Sequence, residues 1–307
     1  MSFLSSAYIP SPRRISVVAG ATFTQLMRMK IFIFLIVFAL ILLAFNGIRM
    51  SSYLGPEAHG ENELTLLKNS AFGAMRLFGL IFCVSSTALL IPKDTEDRIL
   101  YTILCKPVPR IDYLMGKALG VLALTILAIG IMDTFMTGML WMRTSAILAE
   151  QSAALHTSGY TPEAMQPFLD RIMAQGPTWN VQAGLLVMIF EFTVLCSLSL
   201  LISCITSGTI ISSILSFCVY FIGLFQTQAK SIWMNQSSGQ GFSIWEIWTS
   251  QAVGIIFPNF GMYSITDSAL NGQVIPLSII LQLGLISIAY FLFHTTLAAW
   301  IFRKKEF

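Results

Sequence analysis

The residues with the most chemistry to offer fall into two groups. The first is a charged island between two apolar runs, Pro92 to Lys117. It holds nine of the chain's 33 charged side chains: Lys93, Asp94, Glu96, Asp97, Arg98, Lys106, Arg110, Asp112 and Lys117. Charged residues are only 11% of the chain, so a short stretch carrying both signs suits charge-complementary docking of a partner. The simpler reading is a solvated loop whose basic residues set membrane orientation. The second group is Arg76, Asp133 and Glu191, each inside an apolar run. Ionisable side chains at membrane depth demand an account. Three are open: an ion pair between Arg76 and one acid, an outer gate or polar substrate contact, or a wet vestibule.

Bond-making chemistry is not indicated. The single Gly-Lys, Gly116-Lys117, is followed by Ala118 and lacks the earlier glycine of a phosphate-binding loop, so hydrolysis of ATP by this chain alone is not expected. His59, His156 and His294 are scattered, with no His-Glu-x-x-His or Cys-x-x-Cys, and no metal site follows. His294 reads as a packed, hydrogen-bonded histidine. Cys83, Cys105, Cys196, Cys204 and Cys218 fall in apolar runs or the island and read as packing residues rather than a disulfide framework. No cofactor bound by this chain and no nucleic-acid partner are expected.

The elements that must position these groups are membrane helices. Hydrophobic residues are 55% of the chain, and a hydrocarbon core of about 30 Å takes about 20 apolar residues in a helix. Six stretches qualify: 31–48, 71–91, 118–141, 183–206, 208–226 and 277–302. The expected fold class is an all-α integral membrane protein, one transmembrane domain over 1–307. With six crossings the termini share a side, and Lys and Arg cluster there: 12 of 18 lie in the N-terminal region, the island and the tail Arg303, Lys304, Lys305. Both termini and the island are therefore expected to be cytoplasmic, in the cell (inner or plasma) membrane. No cleaved signal peptide is expected.

Over 13–30, Ile15, Val18, Ala19, Thr22, Phe23, Leu26 and Met29 recur at helical spacing. This is the pattern of an amphipathic helix in the interface plane, leading into the first span, or of a short helix packed on protein. The outer loops are 142–180 and 227–276. In the first, Thr161-Pro162-Glu163 predicts a helix towards Ala174, stopped by Gly176-Pro177. The segment forms a helical hairpin or a mobile surface loop. In the second, Ile244 to Phe257 is too short to span and fits a re-entrant or interfacial helix ending at Phe257-Pro258-Asn259.

Within the island, Asp94 or Thr95 is placed to cap a short helix with Glu96 and Asp97 in its first turn, and Asp94 and Arg98 are spaced as an ion pair. That helix would run to about Cys105. Lys106-Pro107-Val108-Pro109-Arg110 breaks it, and helix resumes at Asp112. The expectation is a stiff cytosolic knob across 92–117.

Here the chain resembles the permease subunits of ABC-2 type transporters. The resemblance rests on the acid-rich start, Ile99-Leu100-Tyr101-Thr102-Ile103-Leu104, then Lys106-Pro107-Val108-Pro109-Arg110 and Tyr113-Leu114-Met115-Gly116-Lys117-Ala118-Leu119-Gly120. Six spans, the lead-in helix and the basic tail support it over nearly the whole chain. It implies a coupling helix between spans two and three that docks on a separate ATPase subunit, which binds ATP and magnesium. It also implies a second permease subunit, identical or related. Carried over residue by residue, Asp94, Glu96, Asp97, Arg98, Lys106, Pro107, Pro109 and Arg110 become the docking candidates. The expected function is the transmembrane path of such a transporter, in the export direction. The alternative is a non-transporting scaffold that anchors a cytosolic partner.

Overall fold

The computed structural model describes residues 10–53, 61–96, 109–159, 161–206, 208–236, 257–265 and 274–304, and among these it is helical with no strand. The α-helices are α1 (Pro12–Met27), α2 (Lys30–Tyr53), α3 (Glu61–Glu96), α4 (Arg110–Thr157), α5 (Pro162–Gln175), α6 (Trp179–Ile205), α7 (Thr209–Gln236) and α8 (Leu277–Lys304); a 3-10 turn, Phe260–Ile265, lies between the last two. Segments in α3, α4, α6, α7 and α8 are long and apolar enough to cross a membrane. The chain is a multi-pass helical membrane protein by helix length and composition. The first expected span, 31–48, falls in α2, whose described apolar segment is shorter, Leu35–Ala44.

α6 sits at the centre. It is apolar on every face, the signature of a helix enclosed by others, and it buries residues from Val181 to Cys204. α3, α4, α7 and α8 all pack on it. α7 buries only one face: Ile210, Ile211, Ile214 and Phe221 stand exposed, as they would against lipid. Close approaches are made at glycines. Gly79 leaves room for the ring of Phe192, and Gly223 for the Pro258 carbonyl that brings the 3-10 turn onto α7. Asn259 starts that turn by accepting from the Gly261 amide at 3.0 Å.

Two helices outrun their apolar cores. At 1.5 Å per residue the 48 residues of α4 span about 72 Å, more than twice the hydrocarbon thickness. The expected loop 142–180 is therefore mostly helix. α4 continues to Thr157, turns at Gly159, whose φ of 79° suits glycine, and returns as α5. The helical hairpin is formed, and α5 stops at Gly176 as its sequence predicts, although Thr161 makes no side-chain cap. Leu64 and Leu67 of α3, Leu140 and Ile147 of α4, and Ile172 of α5 give this end a small core of its own.

At the other end α3 departs from expectation. Asp94 does not cap a new helix, because α3 continues through Pro92 to Glu96. Proline near the end of a helix costs one donor, and its φ is already helical. Residues 97–108, with the rest of the expected knob, lie outside the described residues, as does 237–256, where the interfacial helix is expected.

The stripe of α1 lies on α4. Thr22 and Leu26 are buried, and Gly116 and Gly120 admit the α1 backbone so closely that an added Cβ would sit 2.6 Å from Val18 Cβ and 2.8 Å from the Ala19 carbonyl respectively. The apolar face assigned to a membrane surface is thus covered largely by protein, while Val17 and Met27 remain exposed. Gly120→Leu should push α1 off α4 and destabilise the chain by roughly 1–3 kcal/mol. Gly130→Ala, with nothing within 4 Å of its Cβ position, should be neutral or better. Thermal unfolding in detergent checks both, and equal midpoints for the two variants would contradict this packing.

Candidate functional site

The island emerges from a collar of paired charges. Asp94, in the last turn of α3, is 1% exposed. Its Oδ2 accepts from Lys117 Nζ at 2.7 Å and from the Tyr113 hydroxyl at 2.5 Å, both on α4. Lys117 also reaches Gln25 of α1 at 3.4 Å. Asp112, likewise buried, accepts from Arg14 Nε at 2.8 Å and from the Ser11 amide at 3.3 Å. Arg110 donates to the Phe302 carbonyl of α8 at 2.5 Å, and its guanidinium lies 5.7 Å from that residue's ring. The rings of Tyr113 and Phe302 stack at 6.3 Å. Four helices, α1, α3, α4 and α8, are thereby tied at one level.

The sequence-derived docking residues divide accordingly. Asp94 is turned inward and committed to α4; burial beside a lysine and a tyrosine hydroxyl holds it there better than the i,i+4 geometry would. Arg110 is committed to α8. Glu96 closes α3 and Pro109 precedes α4, its carbonyl accepting from the Tyr113 amide. Asp97, Arg98, Lys106 and Pro107 lie outside the described residues.

In the middle of the bundle Glu191 is fully buried. Its Oε2 takes Arg76 Nη2 at 3.1 Å and Nε at 3.2 Å, and its Oε1 takes the Tyr220 hydroxyl at 2.8 Å. Both carboxylate oxygens are satisfied, which is what a charge at this depth requires. Asp133 stands apart, 3.4 Å from both Gln182 and Thr137. The sequence places all three charges in one layer, and the structure brings two of them together. Nothing in an apolar run singles out Tyr220, because the approach of α7 to α6 decides its role.

A third cluster was not foreseen. Glu63 pairs with Arg143, and buried Lys68 donates to Gln175 at 2.6 Å, joining α3, α4 and α5 over the small core at that end of the bundle. These residues lie outside the apolar windows, so a hydropathy reading passes over them. His294 is packed as expected, 3.0 Å from Ser197 Oγ. Among the described residues there is no cluster that could hold a metal ion.

Removing one member of a buried pair costs about 3–5 kcal/mol, far more than an exposed pair contributes. Glu191→Ala should therefore lower the unfolding midpoint steeply, and Asp133→Asn, which keeps its hydrogen bonds, should cost under about 1 kcal/mol. Arg76→Glu should be partly rescued by Glu191→Arg and not by Asp133→Lys. Rescue by the Asp133 change alone would overturn the pairing.

No protein-family model and no curated protein matches the chain.

Proposed function

We propose that this chain is the permease subunit of an ABC-2 type ATP-binding-cassette transporter, with export as its direction. Two such subunits, identical or related, enclose the path across the cell (inner or plasma) membrane. A separate ATPase subunit, binding ATP and magnesium, docks on 92–117 from the cytoplasm. In this reading α2 supplies the sixth crossing over 31–48, both termini are cytoplasmic, and α1 is the lead-in helix.

One observation carries the proposal: the roots of the island are locked together. Asp94 ends one helix and Tyr113 and Lys117 begin the next, joined at 2.5 and 2.7 Å in a buried setting. A push on the segment between them is delivered to α3 and α4 as one body, and through Arg14 and Arg110 to α1 and α8. A displacement entering there shifts rigid helices rather than dissipating in a loop. With Asp94 and Arg110 turned to the bundle, Glu96, Asp97, Arg98 and Lys106 carry the docking role.

Co-expression with a candidate ATPase subunit, followed by copurification and an ATPase assay, is the test. Asp97→Ala combined with Arg98→Ala should weaken assembly at least tenfold, about 1.4 kcal/mol, and lower the coupled ATPase rate in step. Unchanged assembly and rate would remove the docking assignment. Intact assembly with an ATPase that no substrate stimulates would favour the scaffold instead.

A further inference from the structure

Towards the island, α2 is packed against its neighbours: Phe32 and Ala39 share one small space with Phe82 of α3 and Ala128 of α4. Further from the island the packing opens. A groove of about 900 Å³ lies there, lined among the described residues by Leu40 of α2 and by Ile131, Phe135, Met139, Met142 and Arg143 of α4. Its wall is apolar for three turns of α4, with a guanidinium at the far end. Gly138 also lines it, and nothing lies within 4 Å of the position a Cβ would take there, so the groove is open at that point.

Two tryptophans fix its depth. Trp141 on α4 is 67% exposed and Trp179 on α6 is 74% exposed. Gln182 donates to Thr137 at 3.3 Å, and each tryptophan stands about one turn beyond that contact, away from the island. The two indoles are therefore at one level, and exposed tryptophans at one level mark the headgroup zone. Arg143 lies two residues past Trp141, at the same zone. From Ile131 to Arg143 the helix rises about 18 Å at about 1.5 Å per residue, close to the about 15 Å that is half of the hydrocarbon thickness. The groove thus runs through one leaflet, polar at the headgroups and apolar below.

Charge selects the occupant. Arg143 gives Nε and Nη2 to Glu63, and among the described residues its Nη1 has no hydrogen-bond partner. Glu63 balances only one of the two cations in this cluster, Arg143 and buried Lys68, which leaves a positive charge in excess. A phosphate oxygen on Nη1 would supply both the missing acceptor and the missing charge.

We infer that this groove binds one phospholipid from the leaflet away from the island, with an acyl chain between α2 and α4 and its phosphate on the Arg143 guanidinium. The site does not depend on the transporter reading, because it needs only the bundle and a bilayer.

The test uses the full-length chain, purified in an uncharged detergent and stripped of lipid, then titrated with dioleoyl phosphatidylglycerol and read by native mass spectrometry. The comparison probe is dioleoylglycerol, which has the same chains and no phosphate. One phosphatidylglycerol per chain should bind on the order of tenfold more tightly than dioleoylglycerol, a difference of about 1.4 kcal/mol. Gly138→Leu fills the groove without touching the ion pair, and should abolish binding of both probes while leaving the unfolding midpoint in place. Glu63→Gln combined with Arg143→Gln keeps a neutral hydrogen-bonding pair, and should bring phosphatidylglycerol down to the affinity of dioleoylglycerol. Ile214→Trp, on the exposed face of α7, should alter neither. Equal affinity of the two probes for the unsubstituted chain, or unchanged binding in Gly138→Leu, would overturn the proposal. So would a dimer of the unsubstituted chain that Gly138→Leu splits with its lipid count unchanged, because the groove would then seat a second copy.

Discussion

The carboxylate of Asp94 is where the chain's two kinds of structure meet. On one side is a bundle held by apolar packing around α6, and on the other is a charged segment that no hydrocarbon would accept. Buried at the end of α3, the Asp94 carboxylate is met by the Lys117 ammonium and the Tyr113 hydroxyl of α4, which close over it. That contact sets the spacing of the two helix roots. The neighbouring pairs, Arg14 with Asp112 and Arg110 with the Phe302 carbonyl, extend the same constraint to the first and last described helices. A collar of this kind is costly to open at any single point, so it behaves as one part.

Beyond the collar, polar groups are sparse, and the buried charged ones and His294 find different partners. Arg76, Glu191 and Tyr220 satisfy one another across α3, α6 and α7. His294 rests on Ser197. The cluster around Glu63, Arg143, Lys68 and Gln175 ties α3 to the extension of α4 and to α5. These three levels divide the bundle into a clamped lower end, a single ion pair in the middle and a separately cored upper end. Continuous helices, α3, α4 and α6 among them, connect the clamped end to the middle.

Much of this plan is legible in the residues. The centres of α3, α4, α6, α7 and α8 follow from apolar runs that match the thickness of a bilayer, and α5 from its proline at the first helical position. The reach of α4 to Thr157 is not legible, because Ala, Glu and Gln beyond Trp141 favour helix without any apolar run to announce it. The one-sided stripe of α1 shows in its spacing, but what covers it does not. The signal that could have found it is the four-residue interval between Gly116 and Gly120, small residues that let backbones approach. Asp94 reads as a solvated cap because its neighbours in sequence are polar, whereas its partners stand 19 and 23 positions away on the next helix. Of the intramembrane charges, the presence of an ion pair was readable and the choice of Glu191 over Asp133 was not, since depth alone places both acids alike.

A double-mutant cycle on Asp94 and Lys117 tests the central claim most directly. The unfolding free energies of Asp94→Asn, Lys117→Met and the combined variant would be measured in detergent. A collar that locks α3 to α4 predicts a coupling of about 0.5–3 kcal/mol, with the double variant less damaged than the sum of the two. Additivity within about 0.3–0.5 kcal/mol would mean that the two side chains do not hold the helix roots together, and would contradict the account.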